Sequence, residues 1–253
     1  MGIDLQKANF GKRIIAFIFD LICVVTIAVG LAVPFSGIVG YQDYVDKLDN
    51  IKVRYQTEYN IPEITTDEYN LFTEQEKSDY AAAIDAANQA LEKDDEAKNV
   101  WNIIMNLMLL IITIPLFVSI MVLEFIVPLM FGNGQTMGKK IFGIALMHKE
   151  GIRVKKIQLF ARALLGKFVI GTMIPIYAFI YLGTSDMGII ALLIYLAAQV
   201  ITMARSHTYS PIHDVMAGTI AVDMASQRIF DTYDQLLEHN KKIAAERAER
   251  EIY

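Results

Sequence analysis

Residues 14–33 read IIAFIFDLICVVTIAVGLAV, an apolar run of twenty residues. At 1.5 Å per residue, a helix of this length crosses a hydrocarbon core about 30 Å thick. Comparable runs occupy residues 100–131, 164–182 and 187–204. Their continuity favours helices over the alternating strands of a barrel. The sequence therefore predicts an all-α, polytopic membrane helical bundle with four transmembrane helices.

Composition agrees with a membrane protein and excludes several other classes. Of 253 residues, 54% are hydrophobic and 20% are charged, which is more apolar than an ordinary soluble domain. This apolar composition excludes a disordered or collagen-like chain. A disulfide-stapled secreted module is also excluded, because the single Cys23 has no partner within the chain.

Charge asymmetry predicts the orientation. Residues 132–167 carry eight Lys or Arg against one acid, so this basic loop should face the cytoplasm and contact anionic lipid headgroups. Residues 41–99 hold fifteen Asp or Glu and six Lys or Arg, and should lie outside. We expect a multi-pass protein of the cell membrane, with both termini cytoplasmic, residues 183–186 external and no nucleic-acid partner.

The acidic insert, residues 41–99, has two apolar stripes at heptad-like spacing, which predict an extracytoplasmic helical hairpin. Thr73 and Glu76 form a capping-box start for its second arm. The stripes either pack on each other or leave tyrosines exposed for a partner. Four regions follow: the N-terminus and first span (1–40), the insert (41–99), the transmembrane core (100–222) and a cytoplasmic amphipathic tail (223–253).

Two carboxylates lie within the spans, where an ionisable residue is costly and commonly functional. Asp20 lies about 9 Å along its span from Ile14, and Glu124 about 10 Å from Phe131. Because these spans run antiparallel, the two acids share a depth and can face each other. They can hold a proton or a cation, or form with Arg13 a static ion network that fixes the helix register.

Other titratable residues fall near the same level. Arg13 lies two helical turns before Asp20. Compensating positive charge is available from Arg162, Lys167 and Arg205, near the cytoplasmic ends of the third and fourth spans. His213 and Asp214 follow Ser210 and Pro211, which read as the cap and first position of a helix. His213 is expected to titrate near neutral pH, and Asp214 either relays protons or is a satisfied interfacial acid.

Known catalytic and cofactor motifs are missing from the sequence. Residues 134–140, GQTMGKK, fail the spacing of a phosphate-binding loop, and Lys140 stands where Ser or Thr should follow. The four histidines form no HExxH motif, and no nucleophile has a base at usable spacing. We therefore expect no enzyme activity, no cofactor and no metal.

Three sequence blocks resemble the RDD family of bacterial membrane proteins. They are Arg13 to Asp20 in RIIAFIFD, residues 134–143 in GQTMGKKIFG with Arg162 after them, and residues 213–219 in HDVMAGT. The family is named for one arginine and two aspartates, which correspond here to Arg13, Asp20 and Asp214. Most members have no assigned activity, and some resemble sodium/proton antiporters in function.

The resemblance implies a cation/proton antiporter. In this hypothesis Asp20 and Glu124 alternately hold a proton or Na⁺, while Arg13, Asp214, His213 and Arg162 tune their charge or gate the inner mouth. The alternative is a non-transporting membrane scaffold or accessory protein that binds an envelope partner through its outer hairpin. Small residues in the third and fourth spans also allow a homodimer.

Overall fold

The computed structural model describes residues 5–182 and 186–251. It is 76% helical, which confirms the all-α class. Four helical stretches are long and apolar enough to cross a membrane, and they confirm the polytopic arrangement: Phe10–Ile38, Asp95–Phe131, Lys156–Ile180 and Met187–Arg205. The link between the third and fourth spans, predicted to be external, falls largely outside the described residues.

Two of the spans contain π-helical stretches, in which the backbone hydrogen bonds run over five residues instead of four. The second span is formed by α5 (Asp95–Met121), π1 (Val122–Ile126) and α6 (Val127–Phe131). The third is formed by α8 (Lys156–Ala161), π2 (Arg162–Met173) and α9 (Ile174–Leu182). The remaining helices are α1 (Phe10–Ile38), α2 (Tyr41–Glu58), α3 (Thr66–Asn70), α4 (Glu74–Lys93), α7 (Met137–Ile141), α10 (Asp186–Arg205), α11 (Ile212–Ala217) and α12 (Tyr233–Glu251).

The chain divides into two compact units, residues 1–28 with 116–253 and residues 29–115. In the second unit, Leu48 and Ile51 of α2 are buried with Val100 and Ile104 of α5. The capping box at Thr73 and Glu76 begins α4, as its sequence indicated. That α2 and α4 form an extracytoplasmic hairpin stays a prediction.

A small antiparallel sheet in the first unit was not predicted. Strand β1 (Ile144–His148) pairs with β2 (Thr219–Asp223), with Leu146 opposite Ala221. Four of the five residues in each strand are buried, so neither strand shows the alternation that would have marked it in the sequence. The sheet brings the predicted basic loop against the segment that follows α11.

The start of α11 differs from the prediction by one residue. Pro211 is the N-cap, with extended backbone, and the helix begins at Ile212. Ser210 does not cap the helix: its hydroxyl bonds the Thr208 hydroxyl at 2.7 Å. Asp214 lies in the first turn, as expected.

Candidate functional site: a buried charge cluster

Asp20 is buried on α1 and is held by the chain around α7. Its Oδ2 accepts a hydrogen bond from the Thr136 hydroxyl at 2.5 Å, and its Oδ1 accepts one from the Gly138 amide at 2.8 Å. The Lys139 ammonium lies 3.9 Å from Oδ2. Asp20 is therefore satisfied by one hydroxyl, one backbone amide and one nearby cation.

A glycine permits this close contact between α7 and α1. A Cβ on Gly138 would lie 2.3 Å from the Ala16 carbonyl oxygen and 3.0 Å from Asp20 Oδ1. Thr136 is the N-cap of α7, and its hydroxyl oxygen accepts from the Lys139 amide at 3.4 Å and from the Lys139 ammonium at 3.2 Å. The same short turn thus places both the hydroxyl and the ammonium beside Asp20.

Glu124 lies on π1 and is 2% exposed. Its Oε2 accepts from Arg162 Nη1 at 3.2 Å, and its Oε1 accepts from the Lys167 ammonium. Both cations come from π2. Glu124 is thus the carboxylate of this site that is held by two cationic side chains.

Arg162 joins Glu124 to Asp214. Its Nε donates to Asp214 Oδ1 at 2.6 Å, and the arginine is 1% exposed. Thr219 adds a longer hydroxyl contact to the same oxygen, at 3.3 Å. Burial is the largest single effect and would raise the pKa of Asp214, but the charge and hydrogen bond of Arg162, together with the charges of His213 and Lys139, outweigh it and hold that pKa well below its usual range.

His213 differs from its sequence expectation. Its Nε2 lies 3.6 Å from Asp214 Oδ1, but burial lowers its pKa to about 3, and the positive charge of Arg162 and Lys167 adds to that effect. The histidine is therefore neutral at pH 7 and does not titrate near neutrality. Its backbone packs against Gly166, where a Cβ would lie 2.8 Å from the His213 Cα.

Arg13 contacts backbone carbonyls rather than carboxylates. Its guanidinium donates to the carbonyl oxygens of Thr208 and Tyr209, each at 3.0 Å, and Lys7 donates to that of His207. Within the described residues, no ion pair joins Arg13 to an acid. Arg13 thus fixes the connection between α10 and α11, at the edge of the site.

The described part of the chain shows no direct bond between Asp20 and Glu124, which were expected to be able to face each other. The Lys139 ammonium lies 3.9 Å from Asp20 Oδ2 and interacts electrostatically with both acids. Its pKa is lowered to about 8 by burial and by the positive charge of Arg162 and Lys167, which outweigh the two acids. The two carboxylates therefore share an electrostatic interaction with the same cation.

Six side chains make up this charge cluster: Asp20, Glu124, Lys139, Arg162, Lys167 and Asp214. Three are acidic and three are basic, so the formal charge is zero when all six are ionised. Every buried side-chain nitrogen and oxygen of the described residues has a hydrogen-bond partner. Those residues include no group of three His, Cys, Asp or Glu able to hold a metal ion.

The sequence identified the three acids and Arg162, and it named Lys167 as a further source of compensating charge, but it did not identify Lys139 or Thr136 as part of the site. For Lys139 and Thr136 the available signal was their position within residues 134–143, one of the blocks that carried the family resemblance. The contact of Lys167 with Glu124 had a weaker signal, since a lysine at the start of an apolar run commonly extends to the headgroups.

Comparisons with known proteins give one match. A family model described as RDD family matches residues 7–218, which contain every member of the charge cluster. Neither the curated proteins nor the solved structures give a match to this chain.

Proposed function

The chain belongs to the RDD family, and we propose that it is a multi-pass protein of the cell membrane that exchanges protons for a monovalent cation such as Na⁺. The observation that supports this function is the balanced charge cluster. Buried charge within a membrane protein is costly and commonly marks an ion or proton path.

Charge balance couples the cation to a proton. With three acids and three bases ionised, an added Na⁺ would leave one uncompensated positive charge in a buried place, which is strongly unfavourable. Loss of one proton from the cluster removes that charge. Lys139 is the member suited to lose it, because its pKa is lowered to about 8. One Na⁺ then replaces one proton.

Asp20 and Thr136 form the proposed cation site. Na⁺ is a hard cation that favours oxygen ligands, and these residues supply carboxylate and hydroxyl oxygens 2.5 Å apart. The Lys139 ammonium, 3.2 Å from the Thr136 hydroxyl, carries the positive charge beside those oxygens in the proton-loaded state. Glu124, which is bonded to Arg162 and Lys167, is the second acid of the proposed path for the proton and the cation.

The remaining residues position this site. Arg162 holds Glu124 and Asp214, neutral His213 packs beside them, and Arg13 fixes the nearby backbone between α10 and α11. In the proposed orientation both termini are cytoplasmic, because the basic loop with its eight Lys or Arg then faces the anionic inner leaflet.

Flux through proteoliposomes tests the function. Purified protein is reconstituted with a pH-sensitive dye inside, and Na⁺, K⁺ or Li⁺ is added outside. Wild-type protein should alkalinise the lumen in response to at least one of these cations, and Asp20→Asn and Lys139→Gln should each abolish the response. Asp231→Asn, which removes an exposed partner of Arg153, is the matched control and should keep wild-type flux. Unchanged flux in Asp20→Asn would falsify the assignment.

A second candidate is a membrane scaffold that binds an envelope protein through residues 41–99. Two observations favour it: all buried polar side-chain atoms of the described residues are satisfied, as in a static network, and residues 29–115 form a compact unit. Deletion of residues 41–99 separates the two candidates. An exchanger should retain cation-dependent flux, whereas a scaffold should lose its partner in a pulldown from membranes.

A further inference from the structure

The π-helical stretch π2 decides which residues reach Glu124. Arg162 and Lys167 are five residues apart, and both contact this carboxylate. In an α-helix, five residues rotate the chain by about 500°, so the two side chains would lie roughly 140° apart. In a π-helix, residues five apart are hydrogen-bonded neighbours on one face. The double contact with Glu124 therefore requires the π geometry.

Two further pairs at the same spacing support π2. The Thr172 hydroxyl donates to the Lys167 carbonyl at 2.9 Å. Gly171 lies close above Gly166, since a Cβ on Gly171 would lie 3.2 Å from the Gly166 carbonyl oxygen. The twelve residues of π2 far exceed the single turn that π-helices usually form, and such turns are frequent at functional sites.

The two cations are held differently. Arg162 is bonded to Asp214 as well as to Glu124 and is almost fully buried, so it is fixed by two partners. The Lys167 side chain is 13% exposed, and Glu124 is its one acidic partner among the described residues. A change of helix type in π2 would therefore leave Arg162 in place and rotate Lys167 away.

We propose that Lys167 is a movable counter-ion of Glu124, engaged when residues 162–173 are π-helical and withdrawn when they become α-helical. This rests on the proposed exchange function. Withdrawal leaves Glu124 bonded to Arg162 through Oε2, while Oε1 becomes free to accept a proton or a cation. Lys167 is then a positioning residue of the exchange path, and π2 is its switch.

Distances along the third span test the switch without measuring transport. Spin labels are placed at Phe160→Cys and Ile174→Cys, two exposed positions that flank π2, in full-length protein carrying Cys23→Ser. Fourteen residues of α-helix span about 21 Å. The π form is shorter, because each of its turns takes more residues. Pulsed electron paramagnetic resonance in liposomes should give two distances several ångströms apart.

Two variants should shift these populations. Glu124→Gln removes the charge that Lys167 binds, and Thr172→Val removes the hydroxyl contact within π2, so each should increase the share of the longer distance. Thr202→Val is the matched control, because its hydroxyl bonds the Ala198 carbonyl at 2.7 Å in α10, outside the third span. It should leave the distribution unchanged.

A single distance that neither Glu124→Gln nor Thr172→Val alters would overturn the switch. Thr172→Val retains every charge, so it decides the matter if Glu124→Gln does not fold. Failure of the exchange function gives a different result: the distances shift as expected, but no cation drives proton flux in proteoliposomes. If cations drive proton flux but the spin-label distance does not change in either variant, the exchange function is supported and the π-to-α switch is refuted.

Discussion

Replacing Arg162 by Met should cost about 3 to 5 kcal/mol of folding free energy, because it leaves the buried Asp214 carboxylate without its arginine partner. The guanidinium bonds Asp214 at 2.6 Å and Glu124 at 3.2 Å, and all three side chains are at most 3% exposed. Methionine fills similar volume and keeps the packing. Glu124 retains Lys167, but Asp214 is left without a permanent cationic partner, and the formal charge of the cluster falls from zero to −1.

A double-mutant cycle isolates the electrostatic part of this cost. Asp214→Asn removes the stranded carboxylate and returns the cluster of the Arg162→Met variant to zero charge. Because the residues are in direct contact, the double variant should be more stable than the sum of the single effects indicates, by about 2 kcal/mol. Arg153→Met is the surface control, since its pair with Asp231 is more than half exposed and worth about 0 to 1 kcal/mol.

The assay is unfolding in mixed micelles at rising SDS fraction, followed by far-UV circular dichroism, with all variants in the same detergent. Two results would contradict this prediction: Arg162→Met is no less stable than Arg153→Met, or the effects of Arg162→Met and Asp214→Asn are simply additive. Either result would mean that the ion pair at 2.6 Å does not contribute to holding α11 against π2.

Two further stability predictions use the same assay. Gly138→Ala should lower the free energy of unfolding by about 1 to 3 kcal/mol or more, because its Cβ would lie 2.3 Å from a backbone oxygen of Ala16. The control Gly30→Ala, whose Cβ would have no atom within 4 Å, should raise that free energy by up to about 1 kcal/mol. Equal effects of the two substitutions would contradict the close contact of α7 with α1. Since the folded-state pKa of His213 is about 3, below its ordinary 6.5, the unfolded chain binds the proton more readily and stability falls as pH decreases. His213 should contribute about 2 kcal/mol to the loss of folding stability between pH 7 and pH 5, so the His213→Asn variant should lose less stability over this range. If the variant lost stability with pH as steeply as the wild type, the histidine would not be buried and neutral in the folded protein.

The spans and the buried acids were readable from sequence because their signals are local. A run of twenty apolar residues specifies a span by its length alone, and an acid within it, such as Asp20 or Glu124, stands out by its cost. The partners of these acids were not readable in the same way. Thr136 and Lys139 reach Asp20 across more than one hundred residues of sequence, through a five-residue helix whose contact depends on Gly138.

The contact of Lys167 with Glu124 was not predicted, for a different physical reason. Helical periodicity assigns residues to faces on the assumption of 3.6 residues per turn, and on that assumption Arg162 and Lys167 lie on different faces. The π geometry of residues 162–173 overrides this assignment. The sheet was missed because β1 and β2 are five residues each, apolar on both faces and far apart in the chain.

The three sequence blocks of the family resemblance are brought together in one place by the fold. Asp20 comes from the first block, Thr136 and Lys139 from the second, and Asp214 from the third, and Arg162 between them bonds Asp214 directly. All of them belong to the unit formed by residues 1–28 and 116–253, whereas the acidic insert belongs to the other unit. Because no member of the charge cluster comes from the insert, the insert can change without altering the cluster's bonds. Any activity that depends on the cluster should therefore be carried by the unit formed by residues 1–28 and 116–253. Any activity lost with the insert should be attributed to a binding partner.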